Sequence, residues 1–199
     1  MAEERSDFPD IEATMKKAAA ALEHAEIPFA LAGSLATWAR GGPESTHDLD
    51  FIVRKDDAKH ALEALVHVGM RPETPPEGWL LKAYDDDILV DLIFEPNGLD
   101  VEEVLGRAQR MSVAALRIPV MALEDVFVTR LLSLAEHRLD YSRPLATARA
   151  VREQVDWSDV RARTCESPYA RAFFALLEEL RVVSPQASAR RETRVHVLG

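Results

Sequence analysis

Two short apolar runs flank a turn-rich stretch in "FALAGSLATWARGGPESTHDLDFIV", residues 29–53, and no other feature of the chain constrains its fold as much. The run "FALAG" reads as a short buried strand. Ser34 is predicted to cap a helix running through "LATWAR" to Arg40, which Gly41, Gly42 and Pro43 stop. "HDLDFIVR" is a second strand, with Asp48 and Asp50 on one face and Leu49 on the other. Neighbouring carboxylates in a buried strand repel each other and resist desolvation. They persist when protonated, hydrogen-bonded or neutralised by a divalent cation. The bland alternative, a water-exposed strand end, conflicts with the continuation Phe51-Ile52-Val53.

Around this unit the periodicity predicts a helix in "IEATMKKAAAALEHAE" and an amphipathic one in "KDDAKHALEALVHVG", closed by Gly69. "RPETPPEG" reads as a loop, and "WLLKAYD" with "DILVDLIFE" as a β-hairpin turning at Asp85-Asp86-Asp87. Beyond Val101, "VEEVLGRAQRM" looks helical and "AALRIPVM" extended. "LEDVFVTRLLSLAEHRL" looks like a strong helix, and three more helical segments follow. The fold class expected is α/β (α+β): a small mixed sheet flanked by helices, then a mainly helical region. The expected divisions are 1–104 for the chemistry, 105–184 for helices completing a cleft, and 185–199 for a loose tail.

Composition narrows the function classes. The chain of 199 residues has one cysteine, Cys165, which excludes an internal disulfide and a cysteine-rich zinc site. No apolar run is long enough to span a bilayer, and "MAEERSDFPD" lacks the layout of a secretion signal, so the expectation is a cytoplasmic protein that engages no membrane. The net charge of -10 argues against indiscriminate nucleic-acid binding. It is unevenly spread: residues 1–104 hold 9 Lys+Arg against 23 Asp+Glu, and residues 105–199 hold 15 against 11, all 15 being Arg. An acidic half suits a metal centre and an arginine-bearing half suits phosphate, although charged helix faces are also ordinary solvated surface.

A third aspartate, Asp91, sits in "ILVDLIF", too apolar a run to leave a bare charge without a partner. If its strand lies beside that of Asp48 and Asp50, three hard oxygen ligands converge, a set suited to Mg²⁺ or Mn²⁺. Two such ions roughly 3.5–4 Å apart are the arrangement used for in-line phosphoryl transfer. Gly33 lets a phosphate approach the backbone, and the helix start at Ser34 favours an anion. A nucleoside triphosphate with its metal satisfies all of these parts.

These residues, Gly33-Ser34 at a strand-to-helix turn, Asp48-Leu49-Asp50 and Asp91 on a later strand, resemble the DNA polymerase β superfamily of nucleotidyltransferases. The resemblance implies that Asp48 and Asp50 bind both metals, and that Asp91 joins them beside the attacking hydroxyl and helps deprotonate it. Gly33 and Ser34 would hold the triphosphate. Downstream, Glu124-Asp125 opening a helix that carries Arg130 is similar to bacterial toxin-type members (abortive-infection, AbiEii-like), where a basic residue reaches the nucleotide. Those members usually have Lys there, and Arg alters the geometry. The later helices look like an extension found in actinobacterial members. Many toxin-type members also carry an Arg four residues before the first Asp; here that position is Glu44, and Arg40 is the candidate replacement. Thr46, two before Asp48, is a further candidate near the nucleotide.

The expected activity is metal-dependent transfer of an NMP from an NTP, such as ATP, to a hydroxyl with release of pyrophosphate. The acceptor divides the field: tRNA or protein, as in toxin-type relatives with an antitoxin partner, or a small hydroxylated molecule such as an aminoglycoside or lincosamide. A non-catalytic nucleotide-binding or antitoxin-like module is the rival from another class. His137, seven residues past Arg130, is expected two turns along the same helix face, in a structural role. Trp38, Trp79 and Trp157 are isolated, with no stacking platform for single-stranded nucleic acid readable from their spacing.

Overall fold

The computed structural model describes residues 8–44, 48–73 and 75–184. Helix α1 (Phe8–His24) leads into β1 (Phe29–Leu31), α2 (Gly33–Trp38), β2 (Asp48–Val53) and α3 (Ala58–His67). Three strands follow: β3 (Arg71–Glu73), β4 (Leu80–Asp85) and β5 (Ile88–Ile93). Then come α4 (Val101–Arg107), β6 (Gln109–Val113), β7 (Leu116–Val120) and α5 (Leu123–Leu132). The remainder is helical: α6 (Ser142–Val151), a 3₁₀ turn (Arg152–Gln154), α7 (Trp157–Arg163) and α8 (Pro168–Glu179). No helix among the described residues is long and apolar enough to cross a membrane.

The described strands form one seven-stranded mixed sheet in the order β3-β4-β5-β2-β1-β7-β6. This is the α/β class expected, with helices flanking the sheet and a helical region following it. Strands β2 and β5 pair in parallel with Asp50 opposite Asp91, and β4 and β5 pair antiparallel with Lys82 opposite Asp91. Side chains alternate along a strand, so Leu49, Phe51, Val90, Leu92 and Ala83 share one face, and all five are fully buried. Helix α1 lies on that face, because its Thr14 and Lys17 bond Asp85, which has the same parity as Ala83. Asp48, Asp50, Asp91 and Lys82 therefore share the opposite face.

Local chemistry sets several boundaries. Helix α1 ends with Glu26 at φ 55° and Ile27 N–H donating to the Leu22 carbonyl over 3.0 Å, a closure that turns the chain into β1. Asp100, Asp156 and Ser167 accept backbone N–H bonds at the starts of α4, α7 and α8, each a preferred cap. Two apolar clusters form. One packs α1, α3 and the sheet; the other packs α5 to α8 around Phe127, Phe173 and Phe174, with Trp157 4.8 Å from the Phe127 ring. Helix α5 belongs to both, giving Val126 to the first and Phe127, Val128 and Leu131 to the second.

Four expectations change. "AQRM" is not helical: β6 and β7 make a hairpin that extends the sheet to Val120, past residue 104. "RPE" of the expected loop is the short edge strand β3, where Pro72 is tolerated. Helix α5 stops at Leu132, so His137 does not share a helix with Arg130. Side chains satisfy its terminal carbonyls: the Ser133 hydroxyl donates to the Arg130 carbonyl over 2.8 Å, and the Asn97 amide Nδ2 donates to the Leu132 carbonyl over 2.9 Å. Finally, Ser34 is not a side-chain cap. Helix α2 starts at Gly33, so the N-cap position falls on Ala32, which makes no side-chain cap bond.

Candidate active site

Four segments meet on the open face of the sheet. Strand β2 brings Asp48 and Asp50, and the in-register partner β5 brings Asp91 beside Asp50. The turn between β1 and α2 brings Gly33, held against β2 by Ala32 N–H donating to the Asp50 carbonyl over 2.8 Å. Helix α5 brings Arg130. Gly33 adopts φ +58°, and a Cβ built on it would fall inside the Asp50 carboxylate, 2.8 Å from Cγ and closer to Oδ2. Glycine is required here twice over, for the left-handed backbone and for the close approach of the acid.

Electrostatics mark Asp50 as the focus. Burial, then the charges of Asp91 and Asp48, push its carboxyl up to about 7, with Arg130 and Lys82 pulling the other way. Asp91 is also raised, first by burial, while Lys82 opposes the shift through a 3.1 Å bond to Oδ1. Both ends of that pair are largely shielded, with 13% of the Asp91 side chain and 19% of the Lys82 side chain exposed. Burial lowers the Arg130 guanidinium from its usual value while Asp50 supports its charge. The Arg130 guanidinium makes no hydrogen bond or ion pair to any described residue, so its donors are available to a ligand.

Of the sequence-predicted site residues, Asp48, Asp50, Asp91, Gly33 and Arg130 lie around this face. Ser34 follows Gly33 in α2, and its carbonyl accepts from the Thr37 hydroxyl over 2.7 Å. Arg40 is directed elsewhere: it donates to Gln109 Oε1 and the Met121 carbonyl, bridging α2 to the β6–β7 hairpin. Thr46 lies outside the described residues. Among the described residues no three His, Cys, Asp or Glu side chains stand ready-grouped to hold a metal ion. Asp91 Oδ1 is instead bonded by Lys82 Nζ over 3.1 Å.

Lys82, Trp79, Asn97 and Asp125 were not singled out as site residues from the sequence. Lys82 was within reach of the sequence: a two-residue turn at Asp86-Asp87 sets the hairpin register that pairs it with Asp91. Asp125, fully buried at the start of α5, accepts from Arg107 Nε and Nη2 over 3.0 and 2.9 Å and from Arg163 Nη2 over 2.6 Å. This clamp fixes the helix that carries Arg130 to both α4 and α7.

Two cavities flank the carboxylates. One, of about 240 Å³, is lined by Gly33, Asp50, Trp79, Asn97, Thr129 and Arg130 among others. The other, of about 630 Å³, lies at the opposite end of β2 and β5 and is lined by Asp10, Asp48, Asp85, Asp86 and Asp87 together with α1 residues.

No protein-family model matches the chain, and no curated protein matches it by sequence. Solved structures do match. The antibiotic-resistance factor ANT(2'')-Ia in solution superposes with a TM-score of 0.62 at 17% identity, over 87% of this chain and 98% of that one. TM1012 of Thermotoga maritima, a candidate nucleotidyltransferase, gives 0.51 at 18% identity, over 62% of this chain and 84% of its own. JHP933 of Helicobacter pylori gives 0.52 at 14% identity, over 88% of this chain and 79% of its own. At such identities the likeness concerns architecture, and by architecture this chain has the nucleotidyltransferase fold.

Proposed function

We propose that the protein transfers a nucleoside monophosphate from an NTP to an acceptor hydroxyl. The observation that carries this is the in-register pair of Asp50 and Asp91, with Asp48 on the same face, opposite the Gly33 turn and the Arg130 guanidinium. In the reaction the acceptor oxygen forms a bond to the α-phosphorus, the bond from that phosphorus to the β-phosphate oxygen breaks, and pyrophosphate leaves. Asp91 takes the hydroxyl proton; its raised carboxyl makes it a better base than an ordinary aspartate. Gly33 gives the triphosphate backbone access, and Arg130 supplies charged donors across from it.

The donor set suits two Mg²⁺ or Mn²⁺ ions: hard oxygens on one face, around a carboxyl that burial, then Asp91 and Asp48, push up to about 7. Asp48, Asp50 and Asp91 would hold them, Asp91 exchanging Lys82 for metal. Bound, such ions neutralise phosphate charge and acidify the acceptor hydroxyl.

For the acceptor, a cationic small molecule is favoured over tRNA or protein. The acidic cavity beside Asp48 has the size of a drug-sized ligand site and negative charge to attract a polyamine-like substrate. ANT(2'')-Ia has been solved with adenylyl-2''-tobramycin, at a TM-score of 0.50 and 15% identity over 86% of this chain and 97% of that one. The test is incubation with labelled NTPs, Mg²⁺ and either total tRNA or a panel of hydroxylated amines. Label on an amine supports this acceptor, and label on RNA supports a toxin-type activity. Nucleotide binding without transfer to any acceptor supports a non-catalytic module. Asp48→Ala and Asp91→Ala should abolish transfer with the fold retained; variants as active as the parent would remove the assignment.

A further inference from the structure

We propose that Trp79 and Asn97 form a nucleobase subsite that takes an adenine ring, an assignment that rests on the nucleotidyl-transfer reading and adds the identity of the nucleotide. Trp79 differs from the other two tryptophans. Trp38 packs on Phe8 and Trp157 on Phe127, each with ring centroids 4.8 Å apart. Trp79 has no aromatic neighbour among the described residues and keeps 43% of its surface exposed. It is nevertheless held in place, because its carbonyl accepts from Phe94 N–H over 3.1 Å and Glu95 N–H over 3.3 Å at the end of β5. An exposed indole on an anchored backbone, bordering the cavity, offers a stacking platform.

The cavity that Trp79 borders continues directly from Gly33 and Arg130, the groups assigned to the triphosphate, and its floor includes Ile52 and Ile93. Its volume of about 240 Å³ is below that of a whole drug-sized ligand site and suits one flat heterocycle with part of its sugar. The phosphates and the base of one nucleotide thus find adjoining, chemically distinct walls.

Asn97 supplies the edge contact. Its Nδ2 donates to the Leu132 carbonyl at the end of α5, which fixes the amide orientation, since a carbonyl accepts only from the nitrogen. One N–H and the Oδ1 oxygen remain without partners among the described residues. A donor beside an acceptor complements the amino group and ring nitrogen of adenine. Guanine offers two acceptors on its N7 edge and fits less well there.

The test is calorimetric binding of ATP, GTP, CTP, UTP and inorganic tripolyphosphate, with Mg²⁺, to the whole protein and to Trp79→Ala and Asn97→Ala. ATP should bind about tenfold more tightly than the other nucleotides. Trp79→Ala should weaken ATP by about tenfold or more while tripolyphosphate binding is unchanged. Asn97→Ala should flatten the preference among the four nucleotides, and unchanged tripolyphosphate binding in it shows that the end of α5 is intact. Preference for another nucleotide, or ATP affinity indifferent to Trp79→Ala, overturns the subsite even where transfer is observed. Base-dependent ATP binding that Trp79→Ala abolishes, with no transfer to any acceptor, leaves the subsite standing and refutes the enzyme. Absence of nucleotide binding overturns both.

Discussion

Replacing Asp50 by Asn removes a charge that burial and two neighbouring carboxylates disfavour, and the energy at stake follows from its titration. The carboxyl moves from 3.8 in the unfolded chain to about 7 in the folded one. Between those values the folded protein binds the proton that the unfolded chain has lost, so stability falls as pH rises through this window and levels off above it. From about pH 5 to about pH 8 this one group should cost roughly 2–3 kcal/mol of unfolding free energy. For a chain of this size that corresponds to roughly 5–10 °C in Tm. Asp48, Asp91, Arg130 and Lys82 are the charged groups acting on it, and all remain in Asp50→Asn. The assay is urea denaturation of parent and variant at both pH values with a chelator present. The parent should lose more stability than the variant by about that amount, and at the higher pH the variant should be the more stable protein. Equal pH dependence in the two would show that Asp50 is solvated or paired, and the electrostatic account of the site would fall.

Gly33→Ala should cost about 1–2 kcal/mol for the left-handed backbone, and displacing the Asp50 carboxylate should lower transfer far beyond what the melt explains; a fully active variant refutes the close approach. Asp125→Ala should destabilise by about 3 kcal/mol in urea melts, the low end for a broken buried ion cluster. The low end applies because the side chains of Arg107 and Arg163, 40% and 24% exposed, can turn to water. A loss below about 1 kcal/mol would mean that the cluster is no clamp. Ala114→Asn with Ala115→Gly should stabilise the protein by about 1 kcal/mol or more, because both alanines occupy positive φ; no gain in Tm would contradict the strain.

The half that carries the three aspartates was legible because each of its elements has a local signal. Gly33 closes a strand, Asp48 and Asp50 alternate with buried residues, and the aspartate turn sets the register that brings Asp91 to the same face. The β6–β7 hairpin was not legible. Its two-residue turn is Ala114-Ala115 at φ 49° and 70°, a conformation that sequences usually announce with Asn-Gly, and two alanines read as helix instead. The end of α5 was hidden for another reason: the amide that caps it comes from Asn97, 35 positions upstream. Trp79 looked isolated because a rim is made by elements distant in sequence, and spacing along one strand cannot show it.

Helix α5 is lodged between the two apolar clusters, and this determines how the molecule could be taken apart. A cut after Met121 would keep every aspartate of the face but discard the cation across from them. A chimera that borrowed a foreign bundle would have to retain Leu123–Leu132 as part of the sheet half, together with an outside arginine for Asp125. The segments after Ser133 carry no such double duty. In this chain they could be exchanged without rebuilding the aspartate-bearing face of the sheet.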